Sequence, residues 1–123
     1  MSSKITLVLR LLLGLALVVF GANKFANFMP PMELPDAAGS FMGALVATGY
    51  MMTLVAIVEI LAGLLLLINK AVPFALVILA PISVNIILFH ALLDPANIGP
   101  AALVFVLNAY LMLKYWDSYK SLF

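Results

Sequence analysis

Glu59 puts an ionisable carboxyl near the middle of residues 50–68, a run with no other charged side chain. At bilayer depth a charge costs on the order of 2.5–3.5 kcal/mol on insertion scales, so such a group usually faces a partner or a cavity. Ionised, Glu59 needs a cation beside it; unpaired, it is better kept neutral and could carry a proton. Arg10 is one candidate cation, since the remaining axial offset between the two is only about 5 Å. Alternatively its long arm snorkels to the inner headgroups and contributes to topology alone. Asn85 and Asn108 fall at nearly the depth of Glu59, roughly 12–14 Å below the outer face, which predicts one shared polar layer. His90 lies five residues beyond Asn85 and is turned from it by about 140°. It either lines an outer vestibule with Lys24 and Asn23 or bonds a loop carbonyl. Apolar walls with a few such polar groups suit a small amphipathic ligand, whose carbonyl or hydroxyl Asn85, Asn108 or His90 could bond.

The composition says which elements must carry these groups. Of 123 residues, 67% are hydrophobic and 9% charged, against roughly 45–50% and 25% in soluble domains. The chain is therefore read as an integral membrane protein and as a single transmembrane domain, residues 1–123. A net charge of +1 gives no basic patch for nucleic acid. The absence of cysteine leaves no disulfide or thiol redox couple in the chain. No metal site is indicated, since no two histidines stand at ligand spacing, and no phosphate loop or Ser/His/Asp set is evident. A haem held by two histidines is excluded because His90 is the only one.

Four apolar stretches emerge, residues 5–22, 50–68, 71–93 and 98–113, against the ~20 residues that a ~30 Å core requires. The fold class is thus all-α, a four-transmembrane-helix bundle. The last stretch is short, but Lys114 can snorkel and Tyr115, Trp116 and Tyr119 extend it as an interfacial aromatic belt. Pro81 predicts a kink or a freed carbonyl near Val77. Between the first two stretches, Pro30, Pro31 and Pro35 break helix, with Asp36 or Ser40 as a possible N-cap. A short interfacial or re-entrant helix is expected over 40–49, ending near Gly49. No small-x-small cleavage pattern follows the first stretch, which is read as an uncleaved anchor. With both termini in the cytoplasm, Lys4, Arg10, Lys70, Lys114 and Lys120 fall on or near the inner side and Lys24 outside, as the positive-inside rule favours. Glu33, Asp36 and Asp94 then lie in the outer loops.

Small residues indicate how the helices approach. Arg10, Gly14, Leu17, Gly21 and Lys24 form one stripe of the first helix; Met52, Ala56, Glu59 and Gly63 form another on the second. Gly and Ala at such spacing let backbones pack closely in lipid, and the two stripes are expected to face each other.

These residues carry a resemblance. Arg10-Leu-Leu-Leu-Gly14, Phe20-Gly21-Ala-Asn-Lys24-Phe25 and Glu59-Ile-Leu-Ala-Gly63 in consecutive membrane segments resemble the DoxX-like family of small four-helix bacterial membrane proteins. The resemblance implies that Arg10, Lys24, Glu59 and Gly63 occupy family positions and that the chain lies in the inner (cytoplasmic) membrane. Relatives of that family are membrane subunits of thiosulfate:quinone oxidoreductase or partners in membrane-associated oxidoreductase complexes. An accessory quinone- or lipid-facing subunit is thus implied rather than a self-sufficient enzyme, with quinone as a cofactor and a redox protein as a partner. Without cysteine, electrons would pass through a bound quinone or that partner. Two other readings compete. One is a non-catalytic scaffold or assembly factor; the other is a small proton-linked transporter, for which four short helices require a homo-oligomer.

Overall fold

A computed structural model describes residues 3–26 and 34–123. Among these residues every regular element is helical: α1 (Ser3–Ala26), α2 (Asp36–Ala47), α3 (Met51–Ile68), α4 (Val72–Leu93) and α5 (Ile98–Lys114), with single turns of 3₁₀-helix before and after α5. Four of the helices are long and apolar enough to cross a membrane. Each long helix turns large apolar side chains outward, among them Leu15, Leu61, Leu88 and Val106. Backbone hydrogen bonds closed within each helix, and apolar side chains outside, are what a lipid solvent demands.

The chain runs up and down. The most extensive packing is α1 on α3; α3 also packs on α4, α4 on α5, and α5 returns to α1, so the long helices form a closed ring. One end of the bundle carries the N-terminus, the α3–α4 turn and the C-terminal segment; the other carries α2 and the α4–α5 turn. The core follows helical spacing. Leu13 and Leu17 meet Ala62 and Leu66, and the stripe Val72, Ala75, Leu76 and Leu79 meets Val104, Leu107 and Leu111. In lipid these contacts hold helices together by packing rather than by exclusion of water.

The turns follow from local chemistry. Asn69 ends α3 in the left-handed region at φ 57°, a conformation asparagine tolerates. The Lys70 amide then closes on the Leu65 carbonyl at 3.0 Å, which returns the chain into α4. Thr48 serves two helices: its hydroxyl donates to the Leu45 carbonyl of α2 and accepts from the Met51 amide of α3. Gly49 between them sits at φ 80°, where a side chain would be strained.

Three features differ from expectation. α2 starts at Asp36 rather than residue 40, because Pro35 takes an extended ψ of 158° at the cap and its carbonyl accepts the first helical bond from Gly39. Neither Asp36 nor Ser40 caps it; Asp36 instead places its negative charge in the first turn, where the helix dipole favours it. Pro30, Pro31 and Glu33 lie outside the described residues. α1 also exceeds its expected span at both ends.

Tyr119 departs from the exposed aromatic belt. It is 4% exposed, and its hydroxyl donates to the Pro73 carbonyl at 2.7 Å, pinning the C-terminal segment to the start of α4. Burial first, and the neighbouring Tyr115 phenol second, push its pKa above the ordinary phenol value, so it keeps the donating proton. Tyr119→Phe is expected to lower stability by about 1 kcal/mol. With a raised folded pKa, the contribution of this group is fully present below the ordinary phenol pKa and disappears as pH rises through the raised one. A spectrophotometric titration checks this: the variant should lose a late-ionising phenol.

Candidate functional site

The register of α1 against α3 is set where side chains are absent. A Cβ on Gly14 would come within 2.9 Å of the Gly63 carbonyl oxygen, and one on Gly63 within 2.7 Å of the Gly14 carbonyl oxygen. A turn and more away, a Cβ on Gly21 would meet Ile60 Cγ1 at 2.6 Å and the Ala56 carbonyl oxygen at 3.1 Å. Backbone against backbone leaves no room for a side chain at Gly14 and Gly63, and at Gly21 the Ile60 side chain fills the space. The same register brings Lys24, on the last turn of α1, to within about one helical turn of Glu59.

Lys24 closes that gap by reaching inward. Its Nζ donates to Glu59 Oε1 at 2.7 Å, with the lysine side chain 21% exposed and the glutamate side chain 3%. Glu59 lies near the midpoint of α3, about 12 Å from Met51 along the axis. A short charge-assisted bond at this depth offsets much of the desolvation that either ion alone would suffer.

Arg10 takes neither of the roles considered for it. Its Nη1 donates to the Leu66 carbonyl, one of the last-turn carbonyls of α3 that no helical amide reaches. A guanidinium there satisfies an orphan acceptor and lies at the negative end of the helix dipole. Arg10 is 7% exposed, so the cap is enclosed by the bundle. The two cations of the α1 stripe thus both bind α3, Lys24 at its middle and Arg10 at its end.

The expected layer of Glu59, Asn85 and Asn108 does not form. Asn108, 2% exposed, accepts from the Ser83 hydroxyl at 2.7 Å and donates to the Leu76 carbonyl at 3.2 Å, tying α5 to α4. Asn85 is exposed and donates to the Pro81 carbonyl of its own helix at 2.8 Å. The reason is rotation: two residues apart on a helix is about 200°, so Ser83 and Asn85 cannot both face α5. Ser83 continues the inward stripe of Val72, Leu76 and Leu79, a spacing that was visible in the sequence.

His90 takes the second of its expected roles, beside a carbonyl of the turn that follows α4. Its Nδ1 lies 3.4 Å from both the Asp94 carbonyl oxygen and Asp94 Oδ2. Asp94 is fully buried, and Asn97 Nδ2 donates to both of its carboxylate oxygens, at 3.1 and 2.9 Å. This cluster closes the α4–α5 turn. The signal for Asp94 was its spacing, four residues after His90 and three before Asn97 in an Asp-Pro-Ala-Asn turn sequence. Among the described residues every buried side-chain nitrogen and oxygen has a hydrogen-bond partner.

No curated protein and no solved structure matches this chain. The DoxX family model matches residues 5–91, which include the Lys24–Glu59 pair, the Arg10 cap and all three packed glycines. With most of its length so matched, and with four helices able to cross a membrane, the chain belongs to the DoxX family.

Proposed function

We propose that this protein is an accessory, lipid- or quinone-facing subunit of a membrane-associated oxidoreductase complex. The observation that carries the reading is the commitment of its interior polar groups to one another: Glu59 to Lys24, Arg10 to the end of α3, Ser83 to Asn108, Asp94 to Asn97. Groups so committed specify which helices pair. A redox setting comes from the resemblance to oxidoreductase membrane subunits, and the outward apolar faces suit contact with lipid, quinone or a partner's helices. The bundle end that holds Lys4, Lys70, Lys114 and Lys120 faces the cytoplasm in this reading, which puts both termini inside a bacterial inner membrane.

The test uses the tagged full chain in its own membranes. A membrane oxidoreductase is expected to co-isolate in mild detergent, and deleting the chain should lower quinone reduction by those membranes several-fold. The double variant Lys24→Met/Glu59→Leu, which retains the packing without the charges, should restore it. A folded double variant that fails to restore activity would put the chemistry at the pair itself and end the accessory reading.

A scaffold or assembly role is favoured by a different observation, the backbone contact at Gly14 and Gly63. It predicts that the partner enzyme is lost from the membrane when the chain is deleted, rather than present with lowered turnover.

A further inference from the structure

One polar side chain in the membrane-crossing part of α4 faces outward. Asn85 belongs to the exposed stripe Val77, Pro81, Asn85, Leu88 and Leu92. It lies eight residues from the helix end at Leu93, about 12 Å along the axis, well inside the hydrocarbon when α4 crosses a bilayer. One amide N–H goes to the Pro81 carbonyl. The second N–H donates to no described residue, and the carbonyl oxygen accepts from none. Pro81 adds to this polarity: lacking an N–H, it leaves the Val77 carbonyl one turn below without its i+4 donor. An amide facing hydrocarbon with only one of its hydrogen bonds made is costly, because lipid chains offer no partner for the rest.

Beside Asn85 the surface is concave. A shallow groove of about 240 Å³, open to the outside of the bundle, is lined by Phe41, Asn85, Leu88, Phe89, Leu92 and Leu93. Phe41 of α2 forms one wall, its ring centroid 5.5 Å from that of Phe89. Asn85 supplies the polarity at the deep end, and the other α4 residues lead from it toward the end of the helix. The volume is slightly below the usual range of small-molecule sites, roughly 300–1,000 Å³, and fits a single ring or a short branched chain.

We propose that this groove binds a neutral, membrane-dissolved molecule with an apolar body and a carbonyl or hydroxyl head that hydrogen-bonds Asn85. The lining carries no charge, which disfavours an ionic headgroup at this depth. An ordinary acyl chain would fill the groove but leave the amide unpaired, so the site selects for a polar atom carried into the hydrocarbon. Access is lateral, from the bilayer. Two sources share this chemistry, a quinone ring and a neutral glycerolipid. The proposal rests on the lipid- or quinone-facing reading above and names the place and the group that would serve it.

The full chain in phosphatidylcholine nanodiscs tests it. Trp116 is the only tryptophan and lies beyond α5 at the opposite end of the bundle, so it reports bulk partitioning. Phe41→Trp, made with Trp116→Phe, reports the groove; Leu92→Trp is a second reporter should Phe41→Trp perturb the α2 contact. Decyl-ubiquinone and a brominated diacylglycerol are the quenching probes. Saturable quenching of a groove reporter is expected with one of them, which identifies the source, while Trp116 in the wild type is quenched only in linear proportion to probe. Asn85→Leu should weaken binding roughly tenfold, about 1.4 kcal/mol, with helical content unchanged. Linear quenching at both ends by both probes overturns the proposal, as does Asn85→Leu binding with wild-type affinity. A halved particle mass in Asn85→Leu with binding unchanged would make Asn85 a contact between copies instead. Failure of the accessory reading gives a different result: no oxidoreductase co-isolates although the groove binds its ligand.

Discussion

Gly63→Leu is expected to abolish docking of α1 on α3, and Gly63→Ala alone to lower stability by about 1–3 kcal/mol, the usual cost of forcing atoms into a filled site. The nearest atom in the way is backbone, and beside it stands the Val18 Cγ2 methyl at 2.8 Å, the end of a β-branched side chain with little rotamer freedom. A Cβ at 63 meets the Gly14 carbonyl oxygen at 2.7 Å and Leu17 Cβ at 3.1 Å, so the helices themselves must separate. Separation would carry Arg10 away from the Leu66 carbonyl and Lys24 away from Glu59, because both bonds depend on the same helix spacing. Gly43→Ala is the control. No atom lies within 4 Å of a Cβ built there, and in a helix the exchange is favourable by up to about 1 kcal/mol. A titration of each variant from mild detergent into denaturing detergent, followed by circular dichroism, separates the two. Equal midpoints for Gly63→Ala and Gly43→Ala would mean that α1 and α3 do not touch as described.

Lys24→Met should be the most damaging change of a single charge, costing about 3 kcal/mol or more. It leaves a carboxylate 3% exposed with no cation beside it, and breaking one side of a buried pair costs roughly 3–5 kcal/mol. The lower end of that range applies, since the partly exposed lysine gives solvent and headgroups some access to the pair. Glu59→Leu strands the more accessible ion and should cost less. Lys24→Met/Glu59→Leu should recover to within about 1 kcal/mol of wild type, because apolar residues of similar volume often replace a buried pair without loss. The same detergent titration reads all three variants as a double-mutant cycle. A double variant as unstable as Lys24→Met would show that charge pairing is not what Lys24 contributes.

The membrane-crossing helices were legible because hydropathy and length decide them almost alone: α3 and α4 lie within a residue of their expected bounds. The facing of the Gly14, Gly21 and Gly63 stripes was also readable, since small residues at spacings of three and four leave few other uses. What failed was the pairing of polar groups. Depth along each helix is legible in a sequence, but rotation about the axis and the register between neighbours are not. Depth alone groups Asn85 with Asn108, although the inward stripe through Leu76 and Leu79 leads to Ser83. It leaves Lys24 in a vestibule, although the glycine contacts place it one turn from Glu59. For Arg10 the sequence offers a carboxylate or a headgroup, whereas the acceptor is the end of a neighbouring helix. Carbonyl acceptors at helix ends have no residue code and are seen only when two helices are laid side by side.

The order of manufacture gives the α1–α3 contacts a further meaning. Lys24 leaves the ribosome 35 residues before Glu59, and Arg10 leaves it 56 residues before Leu66. At ~5–20 residues per second the first helix waits roughly 2–7 s for the carboxylate that accepts its lysine, and longer for the carbonyl that accepts its arginine. During that interval α1 holds two cations with no protein acceptor, both close enough to its ends to lean on water or headgroups. The polar contacts that seat α1 in the bundle are therefore complete only once α3 is made, which makes the two helices one antiparallel unit rather than two independent spans.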